Sequence, residues 1–161
     1  MKEIIKIPLF AIILFITISC VEDHVDPEIE YTIWNASNIT FEKADGADPS
    51  EAKNQDRITD LVWITRGDKG QIYNIAKESI ADRNISPIGT QWAIGTTDQI
   101  GQLSFNDFRS AVGEPKQVVG KNLVLHLIED DIYLSVKFLS WSSNGQGGNK
   151  GGFSYTRSTS E

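Results

Sequence analysis

Cysteine is nearly absent from this chain: Cys20 is the only one in 161 residues. A single thiol excludes a disulfide framework and a cysteine-based metal site. Histidine is also scarce, with only His24 and His126. Neither an HExxH helix signature nor a G-x-S-x-G elbow occurs, so two common hydrolase chemistries lack their motifs. Positive charge is in the minority, with 15 Lys and Arg against 22 Asp and Glu and a net charge of -7. Nucleic-acid binders carry a basic patch or stripe, so nucleic acid is not an expected partner. A long hydrophobic run is missing too. The one run built mainly of Ile, Leu and Phe, 7–19, falls short of the roughly 20 residues that cross a bilayer core as a helix.

That short run has its own meaning. Lys2 and Lys6 precede it and the chain turns polar after Cys20. A basic start followed by a short apolar core predicts a signal peptide over 1–19. Thr17, Ile18, Ser19 and Cys20 resemble the lipobox of bacterial lipoproteins, with Thr17 where leucine is commoner. The resemblance implies cleavage before Cys20 and acylation of its thiol. It also implies anchoring to the outer membrane, facing the periplasm or the outside. One acyl chain holds a membrane weakly and two or more hold it firmly; the lipoprotein family carries three. Residues 20–30 come next, with Glu22, Asp23, Asp26, Pro27, Glu28 and Glu30. Such a stretch buries too little to fold alone and reads as a tether. It also resembles a surface-export signal of some Gram-negative lipoproteins, and a plain solvated linker remains equally open.

Residues 31–161 read as one domain, since a chain of this size supplies one core. Long helical periodicity is missing and short β-rich runs are frequent. Candidate strands are 32–36, 38–43, 61–65, 70–76, 90–96, 122–129, 131–141 and 152–158. In the run 131–141, Ile132, Leu134, Val136 and Phe138 alternate with Tyr133, Ser135, Lys137 and Trp141, Leu139 being the exception. That is the pattern of a half-buried strand. Leu123, Val124, Leu125, Leu127 and Ile128 are apolar on both faces, which predicts a central strand. Glu129, Asp130 and Asp131 between the two runs predict a tight hairpin. The segment 105–113 predicts a short helix ending at Gly113. The expected class is all-β: an antiparallel β-sandwich or barrel-like domain with at most one or two short helices. The stretches "ITFEKADGADPSEAKNQDRITDLVWITRGDKGQIYNIA", "LVLHLIEDDIYLSVKFLSWSS" and "GGFSYTRST" together resemble a recurrent secreted domain of Gram-negative, often marine, bacteria. That resemblance implies an exported β-rich domain and carries no established activity.

Three features bear on chemistry. The loop 43–56 holds Asp45, Asp48, Glu51 and Asp56. Calcium takes six to eight oxygen ligands, so Asp45, Asp48 and Asp56 are the candidate Ca2+ ligands. A solvated turn is the simpler reading, because Asp, Gly and Pro favour turns in any case. The aromatic set is the second feature, with 4 Trp and 4 Tyr. Flat rings with a polar handle suit sugar faces, although aromatic burial in a small core is commoner. Trp141, Tyr133, Tyr155 and Arg66 are the candidate ligand-binding residues. Trp141 is expected on the exposed face of its strand, Trp63 in the core, and Arg66 against an anionic ligand or in a polar loop network, a surface salt bridge being the commoner fate of such a residue. The third is the glycine-rich segment 144–152, expected as a flexible hairpin loop; Lys150 lacks the context of a phosphate loop. His126 sits between leucines and is expected to be structural. Glu129, Asp130 and Asp131 at a hairpin tip lack the cleft that a catalytic carboxylate pair needs.

The leading expectation is therefore a lipid-anchored, non-catalytic binding module with a polysaccharide as ligand. The alternatives are a lipoprotein that docks another envelope protein, and a small glycan-active hydrolase.

Overall fold

The longest strand organises the domain. In the computed structural model, which describes residues 31–143 and 151–160, β8 spans Ile132–Trp141. Cys20, the signal and tether segments and residues 144–150 of the glycine-rich stretch lie outside the described residues. Leu134, Val136 and Phe138 are buried, while Lys137 is exposed, as period-two alternation requires. Antiparallel β7 (Asn122–Leu127) and β9 (Phe153–Arg157) flank β8. β6 (Thr90–Ile94) and β2 (Ile39–Lys43) are the outer strands of the order β2-β9-β8-β7-β6. β1 (Thr32–Trp34) adds to the start of β8 in parallel. In β7 consecutive residues Leu123, Val124 and Leu125 are all buried, which matches a strand covered on both faces. The expected hairpin forms between β7 and β8, with Asp131 at φ 49 in its turn.

A second antiparallel sheet joins β3 (Asp56–Arg57), β4 (Trp63–Arg66) and β5 (Ile72–Asn74). Ile64 and Ile72 from this sheet share one core with Leu125, Leu134, Val136 and Phe138 of the large one. The domain is thus all-β and sandwich-like. One short helix, α1 (Phe108–Val112), packs on β6. Its Phe108 meets Trp92 edge-on at 5.1 Å, and both rings are fully buried. Gly113 ends the helix as expected, at φ 78, with its N–H donating to the Arg109 carbonyl. Each large ring buried in this way stabilises the fold by roughly 1.5–3 kcal/mol.

The strand alternation breaks at one place. Phe138 pairs with Tyr155, but Ser140 pairs with Ser154 and Trp141 with Phe153. Leu139 is the extra residue of a β-bulge and stands exposed. A bulge shifts the register by one and moves every later side chain of the strand to the other face. Trp141 therefore turns to the core side, half-buried, with ring contacts to Phe138 and Phe108. This corrects the expectation that it lies opposite the apolar stripe.

Charge is also buried between the sheets. Asp56, on β3, accepts hydrogen bonds from Arg157 Nε at 2.7 Å and Nη2 at 2.9 Å, and from the Tyr155 hydroxyl at 2.6 Å. All three side chains are buried. Burial, followed by the Asp56 charge, pushes the Tyr155 phenol well above its usual 10. A raised folded-state value gives stability that is present below pH 10 and lost as pH rises above it. Wild type should therefore exceed Tyr155→Phe in stability by about 1.5–3 kcal/mol at neutral pH, the worth of a hydrogen bond to a charged group. Denaturant titrations across pH 8–12 should show that gap closing above pH 10; a gap that stays constant would refute the assignment.

Candidate functional site

Of the four candidate ligand-binding residues, the fold brings two together. Arg66 ends β4 on the core-facing side of the small sheet, two residues after Ile64, and Trp141 ends β8. The Arg66 guanidinium lies 3.9 Å from the centre of the Trp141 ring, cation–π geometry. Phe108 stacks on the same indole at 6.0 Å and 27°. Trp141 is thus clasped by both neighbours and serves as a wall of the pocket.

Arg66 is anchored on three sides. Its Nε donates to the Gly70 carbonyl at 3.0 Å, and its Nη1 to the carbonyls of Ser142 at 2.9 Å and Gly152 at 3.1 Å. These bonds pin the two roots of the glycine-rich segment, whose stems also pair through Ser142 N–H and the Gly152 carbonyl. Burial lowers the guanidinium pKa to about 10, with Asp45 opposing, so Arg66 stays charged at neutral pH. A cation satisfied by neutral carbonyls keeps its attraction for an anion.

A pocket of about 220 Å³ opens beside this pair, lined also by Arg109, Glu114 and Lys116. A neighbouring depression shares Gly70 and Arg109 and adds Arg83. Arg66, Arg83, Arg109 and Lys116 thus lie along one groove in a chain whose net charge is -7. Glu114 is the one acid lining the pocket. It pairs with Lys116 at 2.8 Å, and that contact, reinforced at range by Arg109 and Arg83, holds its carboxyl below the usual value. Sequence reasoning missed Arg109, Arg83 and Lys116. Arg109 comes from α1, Lys116 from the 3-10 turn Pro115–Gln117 and Arg83 from the connection between β5 and β6, and no periodicity links them.

The other candidates sit elsewhere. Tyr155 is 1% exposed and bonded to Asp56, so it offers no ring to a ligand. Tyr133 lies on the outer face of the large sheet. It stacks on His126 at 4.1 Å and 4°, and meets Phe105 and Tyr31 edge-on. His126 accordingly has a structural role, bonded to Asp131 at 2.9 Å. Among the acids, Asp56 is committed to Arg157. Asp48 accepts from the Ser50 N–H and hydroxyl at 2.8 and 2.7 Å, and Asp45 accepts from Gly152 N–H at 2.9 Å. Lys43, 1% exposed, sits in the field of Asp68, Asp45 and Asp48. Asp45, Asp48 and Asp56 are not gathered into one site. Among the described residues no group of three or more His, Cys, Asp or Glu is placed to hold a metal ion. Comparison with family models, with curated proteins and with solved structures finds no match.

Proposed function

We propose that this chain is a lipid-anchored, exported, non-catalytic binding module whose ligand is an acidic glycan. The carrying observation is the groove that gathers Arg66, Arg83, Arg109 and Lys116 beside Trp141 in an otherwise acidic protein. Guanidinium groups recognise carboxylates and sulfates by paired hydrogen bonds, a role for Arg83 and Arg109, while Arg66, its Nε and Nη1 held by carbonyls, adds charge and Trp141 gives a sugar ring an apolar contact. Anchoring rests on Cys20 at the end of its apolar run; palmitate labelling that Cys20→Ser abolishes is its test.

The binding test is a titration of residues 31–161 with a uronate-rich and a sulfated polysaccharide, against a neutral glucan, in low and high salt. Saturable binding to an acidic glycan is expected, weakening as salt screens the groove beyond a Debye length of about 8–10 Å. Arg109→Ala with Lys116→Ala should lower affinity roughly tenfold or more and leave thermal unfolding unchanged. An absence of binding to both acidic glycans, or binding indifferent to these changes, would defeat the reading. Asp56 is engaged by Arg157 in the interior, so chelator is expected to leave the affinity unchanged.

Docking to an envelope protein is the second reading. Ile80 at 77% and Ile85 at 51% exposure favour it, since apolar side chains of this size that face water mark contact surfaces when they cluster. Crosslinking in cells from positions 80 and 85 should recover one defined partner if this reading holds.

A further inference from the structure

A second open cleft lies apart from the basic groove and is larger than it. It lies at the seam between the two sheets, where β1, the segment that carries β3 into β4 and the β7–β8 turn meet, and it measures about 500 Å³. Trp34, Arg57, Thr59, Asp60, Trp63 and Asp130 line it. Two tryptophans of the chain's four therefore share one cleft, and neither is fully buried. The expectation that Trp63 is a core residue is corrected here. Within β4 it faces away from Ile64, because successive side chains alternate.

The cleft is built rather than incidental. The Trp63 indole N–H donates to the Thr59 carbonyl at 3.0 Å, which fixes the ring. Arg57 lies over that ring at 4.1 Å and is itself held by Gln55 Oε1 through Nε at 3.2 Å and Nη2 at 2.9 Å. The Thr59 hydroxyl donates to Asp130 Oδ2 at 2.8 Å, tying the β3–β4 connection to the hairpin turn across the seam. Ile58 N–H donates to the Val62 carbonyl and closes the base of that connection. A site whose side chains are already fixed loses less entropy on binding.

We propose that this cleft is a second binding site, separate from the basic groove, and that it takes an uncharged saccharide unit. The balance of charge differs from that of the groove. Arg57 is the one cation lining it and Asp60 and Asp130 are the acids, so a polyanion is repelled and hydroxyl donors are welcomed. Half-exposed indoles offer an apolar surface to the C–H face of a pyranose. Carboxylates beside them accept from its hydroxyl edge. A purely aliphatic ligand would displace water from Asp60 and from the second Asp130 oxygen without replacing its hydrogen bonds, which costs affinity.

The test is a tryptophan-fluorescence titration of residues 31–161 with neutral oligosaccharides: a β-1,4-glucan, a β-1,3-glucan and an α-mannan fragment, plus an alginate fragment. Saturable quenching or enhancement by at least one neutral fragment is expected, with little dependence on salt. Asp60→Ala, at an exposed position, and Trp63→Phe should each weaken it, Asp60→Ala by roughly tenfold or more. Arg109→Ala with Lys116→Ala should leave it unchanged. Binding by none of the neutral fragments overturns the proposal. So does neutral binding that survives Asp60→Ala and Trp63→Phe, or neutral binding lost through Arg109 and Lys116 instead, which reassigns it to the groove. Failure of the alginate fragment alone counts against the basic groove and leaves this cleft standing.

Discussion

Asp56→Ala is expected to lower the unfolding free energy by about 3–5 kcal/mol, the range for removing one partner of a buried ion pair. The reason lies in what remains. Arg157 would keep its charge, 6% exposed, after losing both bonds to the carboxylate. The Tyr155 hydroxyl would lose its acceptor as well. Neither group is near enough to solvent to recover by hydration, so the cost is that of uncompensated polarity. The double replacement Asp56→Leu with Arg157→Met should recover much of the loss, because no charge then stays buried. Urea denaturation of the three proteins decides the matter. A single-variant loss below about 1 kcal/mol, the range of an exposed pair, would mean that the pair is solvated. The change also reaches function. Asp56 adjoins Arg57 in β3 and pairs across the ladder with Ile64, next to Trp63. Loosening β3 moves the cation and the ring that form one wall of the seam cleft, so neutral saccharide binding should fall with stability.

That buried pair marks the limit of what the sequence alone discloses. Alternation over 131–138 reveals the half-buried strand, and the apolar run 122–129 reveals a strand covered on both faces; both patterns are local and survive folding intact. The helix stop at Gly113 is legible for the same reason. Asp56 reads as one more acid in a solvated loop, because its partner Arg157 lies 101 residues along the chain. A contact at that separation leaves no mark on local composition. Trp141 is misplaced by the extra residue at Leu139: the period of two holds up to Phe138 and the bulge then resets it. The basic groove is invisible for a third reason. Arg66, Arg83, Arg109 and Lys116 are ordinary singletons in an acidic sequence, and only the tertiary fold, with α1 packed on β6 and its Phe108 against Trp141 at the end of β8, makes them neighbours. Arg66 and Trp141 are each legible as a candidate, but their pairing into one site is not.

Gly151→Ala is the second large effect, and it connects stability to the groove. Gly151 has φ +78, a left-handed conformation that costs an L residue about 1–2 kcal/mol. A Cβ there would also lie 2.9 Å from the Gly67 carbonyl carbon and 3.0 Å from Asp68 Cα, and closer still to the Gly67 oxygen. These are backbone atoms of the β4–β5 turn and cannot swing aside as a side-chain tip can. Overpacking of this kind adds about 1–3 kcal/mol, for a combined loss of roughly 2–5 kcal/mol. Gly120→Ala is the control, since Gly120 has φ +82 but nothing within 4 Å of the added methyl; it should show the conformational cost alone. The excess of Gly151→Ala over Gly120→Ala in denaturant unfolding then measures the contact between the two turns. Relief of that clash requires the 67–70 turn and the start of β9 to part. Arg66 bonds to Gly70 on one side and to Gly152 on the other, so its guanidinium must lose one anchor. Acidic-glycan affinity should fall in Gly151→Ala and hold in Gly120→Ala, even at temperatures where both remain folded. Equal losses in the two variants would mean that the turns are not in contact, and Arg66 would then lack the fixed setting on which the groove depends.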